Sequence, residues 1–341
     1  MTEHSQPSSF DISAATFQGL NLPGGKSYLI RVALWTALIL TLIYAVLGAP
    51  IVSALVDVFQ NAIIMEHNID GSEPDPEVVF AMFAPMFRIM GLMTLIWLFQ
   101  IAVFAAAETA IYRNVLNGKD RGVFPLTFGT DELRVFGTRV VVGLILYGVY
   151  LAIYIVGAII GFIIFGLVSA TGSNVIAALG GILTFVLVIV AIAVFVWVAI
   201  RLAPASAFAV KNKAFNPIAS WTPMKGFVWP AIGCFVILYI LGYFILMFMS
   251  GIIFSTLFLM SGVLDILLEI GTSQDGLLDF SPVWVQLTSA GFIIPFIIVF
   301  VFTLFLTMIW YEMIWSMWGY CAKHEDREWL QTQKTDPADL W

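Results

Sequence analysis

The chain has 341 residues, of which 61% are apolar and only 11% carry a charge. Because a soluble domain has roughly 25% charged residues, this composition excludes a soluble globular protein and indicates that lipid surrounds most of the chain. The net charge of −7 and the pI near 4.9 also argue against a nucleic-acid partner.

The first two apolar runs predict two membrane-spanning helices, since about 20 apolar residues in a helix cross the hydrocarbon core. The first run covers residues 28–47 and ends before Pro50, after which helix can resume to about residue 65. The second covers residues 89–112, and an amphipathic stretch precedes it. The N-terminal residues lack a basic segment followed by a short apolar core, so we predict a retained anchor and not a cleaved signal peptide.

The remaining runs predict four further spans. Residues 140–200 contain no charged residue or histidine, and as one helix they would be about 90 Å long, which is too long for a single crossing. A turn is expected at residues 171–174, where Thr-Gly-Ser-Asn interrupts the run. The fifth span lies within residues 228–260 and the sixth over residues 290–318. All six must be helical, because open strands leave backbone groups unsatisfied in lipid.

The distribution of charge predicts which ends of the spans face the cytoplasm. With six spans, both termini, the 113–139 loop and the 201–227 segment lie on one side of the membrane. That side holds every one of the 15 basic residues except Arg88. The opposite loops, at residues 57–77 and 265–279, are acidic. By the positive-inside rule the basic side is cytoplasmic.

These elements predict an all-α, polytopic membrane protein with six transmembrane helices, both termini in the cytoplasm and amphipathic cytoplasmic connections. The transmembrane domain is expected to cover residues 28–320. Cytoplasmic tails are expected at residues 1–27 and 321–341.

Catalytic and metal-binding signatures are absent from the sequence, which has no G-x-S-x-G, H-E-x-x-H or C-x-x-C motif. Cys321 and His324 have the spacing of a metal half-site, but no second half-site accompanies them. The central part of every predicted span lacks an ionisable residue, which argues against an ion-coupled carrier. We therefore predict a protein without enzymatic activity, cofactor or metal.

Charged residues at the cytoplasmic ends of the spans are the best candidates for a site. Ionisable groups near lipid are costly unless they are paired or hydrated, so we expect two glutamates to pair with arginines of neighbouring span ends. Such a cluster is either a structural clasp between helices, which is the favoured interpretation, or a site for a substrate or a lipid headgroup. The expected members are Glu108, Glu312, Arg113, Arg139 and Arg201.

The two cytoplasmic connections also carry a family resemblance. The segments IRLAPASAFAV at 200–210 and ASWTPMKGFVW at 219–229 resemble a signature of YciC-like bacterial membrane proteins, and are similar to membrane domains of glycerophosphoryl diester phosphodiesterases. FGTDELR at 128–134, after YRNVL at 112–116, is similar to uncharacterised alphaproteobacterial members of this type. The resemblance implies a multi-pass protein of the bacterial inner membrane and carries no established reaction. Pro223 departs from the pattern, which more often has another residue there.

Two kinds of function follow from these features. The first is a non-enzymatic scaffold or accessory factor in envelope maintenance, with membrane lipids and other membrane proteins as partners. The second is a transporter or lipid-handling protein that is not ion-coupled and has a cavity among its spans. A cavity of several hundred Å³ reaching the midplane favours the second function, whereas closely packed spans favour the first. An intramembrane enzyme is the least expected.

Overall fold

The structure is a computed structural model that describes residues 11–68, 76–118, 122–260 and 289–334, together with residues 262 and 285. Two short 3-10 turns, Gln18–Asn21 and Pro223–Lys225, accompany the α-helices. The α-helices in chain order are α1 (Ile12–Thr16), α2 (Gly25–Asn68), α3 (Pro76–Asn117), α4 (Thr130–Thr171), α5 (Asn174–Leu202), α6 (Ala205–Asn212), α7 (Val228–Met260) and α8 (Ala290–Lys334).

Six of these helices are long and apolar enough to cross a membrane: α2, α3, α4, α5, α7 and α8. Within the described ranges the chain forms no β-strand. The predicted all-α, multi-pass architecture with six spans is therefore confirmed. The acidic loop residues 265–279 and 69–75 lie outside the described residues.

Three of the spanning helices are longer than the apolar runs that predicted them. α2 continues through Pro50 without a break, and α3 includes Pro85 together with the amphipathic stretch expected before the span. α8 begins at Ala290, as predicted, but extends past Trp318 to Lys334. The C-terminal limit of the bundle, expected at residue 320, therefore falls within a helix, because no proline or glycine lies between Gly319 and Lys334.

The turn between α4 and α5 lies where Thr-Gly-Ser-Asn predicted it. Gly172 has a φ of 62°, a left-handed conformation that glycine adopts without steric cost, and its N–H donates to Val168 O at 2.9 Å. Just beyond the turn, a Cβ at Gly180 would lie 2.4 Å from Cγ2 of Ile164. The two helices therefore pack closely at this end of the hairpin.

Six crossings place the starts of α2, α4 and α7 and the ends of α3, α5 and α8 together, at what we call the basic end. The main hydrophobic core lies there, and its large members, each no more than 2% exposed, include Tyr28, Ile111, Phe208, Met224 and Trp315. Residues 11–22 contribute to this core, because Ala15 and Leu22 are buried in it.

The amphipathic stretches of the two connections at the basic end form no separate α-helix among the residues that the structure describes. Thr130 to Arg134, in the first connection, is the start of α4 itself. In the second, Pro223 opens a single 3-10 turn, and the residues before it form other turns. α6 is the only α-helix of that connection, and residues 205–210 in it are buried instead of lying on a membrane surface. Among the described residues, the amphipathic stretch of the first connection therefore belongs to a span, and that of the second consists of turns and the start of α7.

The α4–α5 hairpin separates from the other spans away from the basic end. The most apolar stretch of α4 has no buried residue, whereas those of α2 and α3 are 17% and 22% buried. By contrast, α2, α3 and α8 share a second small core around Leu40, Val103 and Met308. The hairpin is therefore held to the bundle chiefly at its basic end.

We predict that Gly242→Ala destabilises the protein, because α7 and α8 touch at this glycine. An added Cβ would lie 2.1 Å from Nε1 of Trp310, which donates to Leu238 O at 2.9 Å. Overpacking of this kind costs about 1–3 kcal/mol. Thermal unfolding in detergent, followed by fluorescence, is expected to show a lower midpoint. Gly251→Ala is the control on the same helix, since open space surrounds that glycine. Equal midpoints for the two variants would show that the α7–α8 contact is looser than described.

Candidate functional site

The carboxylate of Glu108 is the centre of a polar cluster at the basic end. Glu108 is fully buried near the end of α3. Its Oε2 accepts from Nε of Arg139 at 2.5 Å, and its Oε1 accepts from the hydroxyls of Tyr112 at 2.6 Å and Ser206 at 2.5 Å. Both oxygens are therefore hydrogen-bonded, as the burial of a charged group requires.

Three helices supply these groups. Tyr112 lies four residues after Glu108, one turn further along the same face of α3. Arg139 follows a buried stripe of α4 that contains Glu132, Val135 and Thr138. Ser206 lies on α6, and the small residues of this helix allow the helix to pack in a buried position against the hairpin. The sequence therefore places Glu108 where α3, α4 and α6 meet.

Arg113 forms a second ion-pair cluster that does not include either predicted glutamate. Its guanidinium pairs with Glu132, and its Nε lies 3.4 Å from Asp131 Oδ2. Asp131 also pairs with Arg134 at 2.7 Å. Both carboxylates lie in the first turn of α4, where the helix dipole favours negative charge. This cluster ties the end of α3 to the start of α4.

Arg201 lies between two tryptophan rings and makes no salt bridge among the described residues. Its Cζ lies 4.7 Å from the ring centroid of Trp197 and 4.5 Å from that of Trp221, which are cation–π distances. Ser220 Oγ donates to the main-chain oxygen of Arg201 at 2.7 Å. The Ser-Trp pair of the family-like segment therefore holds the end of α5.

Glu312 is isolated from the rest of the predicted cluster. It is fully buried in α8, and neither carboxylate oxygen has a hydrogen-bond partner in the part of the chain that the structure describes. An unpaired buried carboxylate is costly. The structure brings together only Glu108 and Arg139 of the five predicted residues, and Arg113, Arg201 and Glu312 lie in other surroundings.

A cavity of about 530 Å³ opens beside the Glu108 cluster, between the α4–α5 hairpin and helices α6, α7 and α8. We call it the α4–α8 cavity. Ser206 and Thr138 lie in its wall at the basic end, and Thr138 is fully buried with no partner for its hydroxyl among the described residues. Most of the wall is apolar or aromatic, and includes Leu146, Phe195, Ala199, Phe235, Tyr239, Trp310 and Trp318.

A second cavity, of about 510 Å³, lies on the other side of α4 and is called the α3–α4 cavity. Arg139 and Gly143 line both cavities. About 40% of the Arg139 side chain is exposed, and in the described chain neither Nη atom has a hydrogen-bond partner. The guanidinium therefore has free donors where the two cavities meet. The remaining lining residues of the α3–α4 cavity are Trp97, Ile101, Phe104, Val140, Leu144 and Tyr147.

The groups at this site are suited to binding. The described residues contain no group of three or more His, Cys, Asp or Glu side chains that could hold a metal ion. The Glu108 carboxylate is fully occupied by its three donors, so it is not free to act as a base. The site offers one oriented guanidinium, the Thr138 hydroxyl and apolar walls, a combination suited to a molecule with an anionic head and apolar chains.

Sequence reasoning identified Glu108 and Arg139 but missed the other polar members. The i, i+4 spacing of Glu108 and Tyr112 was a usable signal. Ser206 lies 98 residues from Glu108, and Gly143 lies in an uninterrupted apolar run. Nothing in the sequence pattern distinguishes these two residues from others of their type.

We predict an asymmetric effect when the Glu108–Arg139 pair is broken. Arg139→Met strands a fully buried carboxylate, which costs about 3–5 kcal/mol, and the thermal midpoint is expected to fall markedly. The double variant Glu108→Gln/Arg139→Met removes the stranded charge and is expected to recover most of the loss. Arg134→Met is the control, because Arg134 belongs to a more exposed pair. A double variant as unstable as Arg139→Met would refute the buried-charge explanation.

Comparison with protein-family models, with curated proteins and with solved structures finds no match to this chain. The resemblance of residues 200–210 and 219–229 to YciC-like proteins therefore stays a prediction. What the chain does must be inferred from the Glu108–Arg139 pair and the two cavities beside it.

Proposed function

We propose that this chain is a non-enzymatic, multi-pass protein of a bacterial inner membrane that binds membrane lipid at the basic end of its spans. The observation that carries the proposal is the α4–α8 cavity of about 530 Å³. Ligand sites are typically mostly apolar cavities of about 300–1,000 Å³ with a few convergent polar groups. Here those groups are Arg139 and Thr138. The YciC-like resemblance and the basic residues at this end support an inner-membrane location with that end in the cytoplasm.

The depth of the cavities favours lipid binding over transport across the membrane. Both cavities extend along α4 from Arg139 to Leu146 or Tyr147, a rise of about 12 Å. Half of the hydrocarbon core is about 15 Å thick. Cavities of this length that begin at headgroup level end within one leaflet and provide no continuous path to the other side.

A scaffold role, the first function that the sequence predicted, is less well supported. It called for closely packed spans, whereas α4 separates from α8 and α3 beyond Arg139 and leaves a cavity on each side. The buried groups of the Glu108 cluster hold the hairpin at one end only. This geometry supports a space for lipid between the helices.

We expect lipid to copurify with the protein and to contact the cavity walls. Mild extraction followed by native mass spectrometry is expected to show bound phospholipid. A phospholipid with a photoreactive acyl chain is expected to crosslink to α4, α5 or α7 residues of the α4–α8 cavity. Absence of both signals would refute the proposed function.

Gly143→Trp is the variant that tests the location. No heavy atom outside its own helix turn lies within 4 Å of a Cβ at Gly143, so a larger side chain enters the cavities without a backbone clash. Crosslinking is expected to fall about tenfold or more, as for a blocked hydrophobic site. Gly148→Trp is the matched control on the same helix, because Gly148 is equally unobstructed and lines neither cavity. Equal losses in both variants would place the lipid elsewhere.

A further inference from the structure

Arg139 and Gly143 belong to both cavities, and this shared position defines the shape of the space around α4. The α4–α8 cavity lies on one side of the 139–143 line and the α3–α4 cavity on the other. Gly143 has no side chain to separate them, and the space around it is open. The two apolar cavities therefore meet at Gly143, one helical turn from the guanidinium of Arg139.

The guanidinium at that point is held in one orientation. Nε of Arg139 is engaged by Glu108 at 2.5 Å, and its Cζ lies 5.9 Å from the ring centroid of Trp315. These contacts leave the Nη atoms as the available donors. The planar donor pair of an arginine matches two oxygens of a phosphate or carboxylate. Thr138, with its unpartnered hydroxyl, supplies a further polar group in the wall of the α4–α8 cavity.

Arg139 also lies at the depth of a phospholipid phosphate. From Arg139 to the turn after Thr171 α4 rises about 48 Å, and a bilayer with its headgroups is about 40–45 Å thick. With the turn at the far surface and an ordinary helix tilt of about 20°, Arg139 lies in the headgroup layer at the basic end. The apolar cavities continue from it toward the hydrocarbon of the adjacent leaflet.

We propose that the ligand is a diacyl glycerophospholipid that straddles α4, with its phosphate on the Nη atoms of Arg139 and one acyl chain in each cavity. This inference rests on the proposed function and specifies its ligand. Glu108 is a positioning residue in this arrangement, because it orients the guanidinium without reaching the phosphate. A lipid, and not free phosphate, is the occupant that fits, since two apolar cavities continue from the anion-binding point.

Two features of the ligand can be tested with the unmodified protein. We expect phosphatidylglycerol to bind about tenfold more tightly than diacylglycerol with the same chains, because the charge-assisted hydrogen bonds to phosphate are lost in the latter. We expect a similar preference over lysophosphatidylglycerol, which fills only one cavity. The measurement is competition between these lipids for the protein in nanodiscs, read by native mass spectrometry. Excess inorganic phosphate is expected not to displace the lipid.

Arg139→Lys tests the role of the guanidinium. Lysine keeps the charge beside Glu108 but not the paired donors, so the preference for phosphatidylglycerol over diacylglycerol is expected to fall about tenfold while chain-dependent binding persists. Arg134→Lys, on the same helix but outside both cavities, is expected to leave the preference unchanged. A thermal midpoint near that of the wild type establishes that each variant is folded.

The outcomes separate this inference from the proposed function. Equal binding of phosphatidylglycerol and diacylglycerol to the wild type, with loss of both in Gly143→Trp, would overturn the phosphate site and leave lipid binding intact. Equal binding of diacyl and lyso lipids would overturn the two-chain arrangement. Displacement of the lipid by inorganic phosphate would identify free phosphate as the ligand. Binding of none of the lipids would remove both proposals.

Discussion

The salt bridge between Glu108 and Arg139 is the interaction on which the rest of the basic end depends. A buried ion pair compensates the desolvation of its charges only when its geometry is good and its remaining polar atoms are satisfied. Tyr112 and Ser206 provide the additional hydrogen bonds. Because these groups come from α3, α4 and α6, one carboxylate fixes the relative positions of three helices. The open space beside it exists because α4 is held at this point and diverges from its neighbours beyond it.

The two side chains of the pair differ in burial, which connects the stability of the fold with the proposed binding. Glu108 is wholly enclosed, whereas Arg139 keeps about 40% of its side chain exposed toward the cavities. The buried partner determines where the guanidinium lies, and the exposed partner presents the charge. Glu312 illustrates the contrast, since it is buried without such donors in the described part of the chain. Glu312 lines neither of the two cavities that Arg139 borders.

Much of the fold was predictable from the sequence, because lipid as solvent imposes strong constraints on composition. Residues 140–200 could only be two crossings, and Thr171 to Asn174 was the one place for their turn. The pairing of Glu108 with Arg139 was among three alternatives that burial cost alone could not distinguish. Which arginine faces the Glu108 carboxylate depends on how each helix is rotated about its axis. An apolar run that has no polar face does not specify this rotation. For the same reason the exposed faces of α4, and the cavities on each side of it, could not be predicted.

The length of α4 has a mechanical consequence. Between Arg139 and Gly172, α4 is longer than an ordinary bilayer is thick. A helix of that length, fixed at one end, must tilt to keep its other end in the opposite headgroup layer. Since the hairpin is fixed only near its base, the lean changes the angle between α4 and its neighbours. Bilayers of different thickness therefore set different widths for the gaps that flank the helix. The fit of the proposed lipid in the two cavities therefore depends on the thickness of the surrounding membrane as well as on the protein.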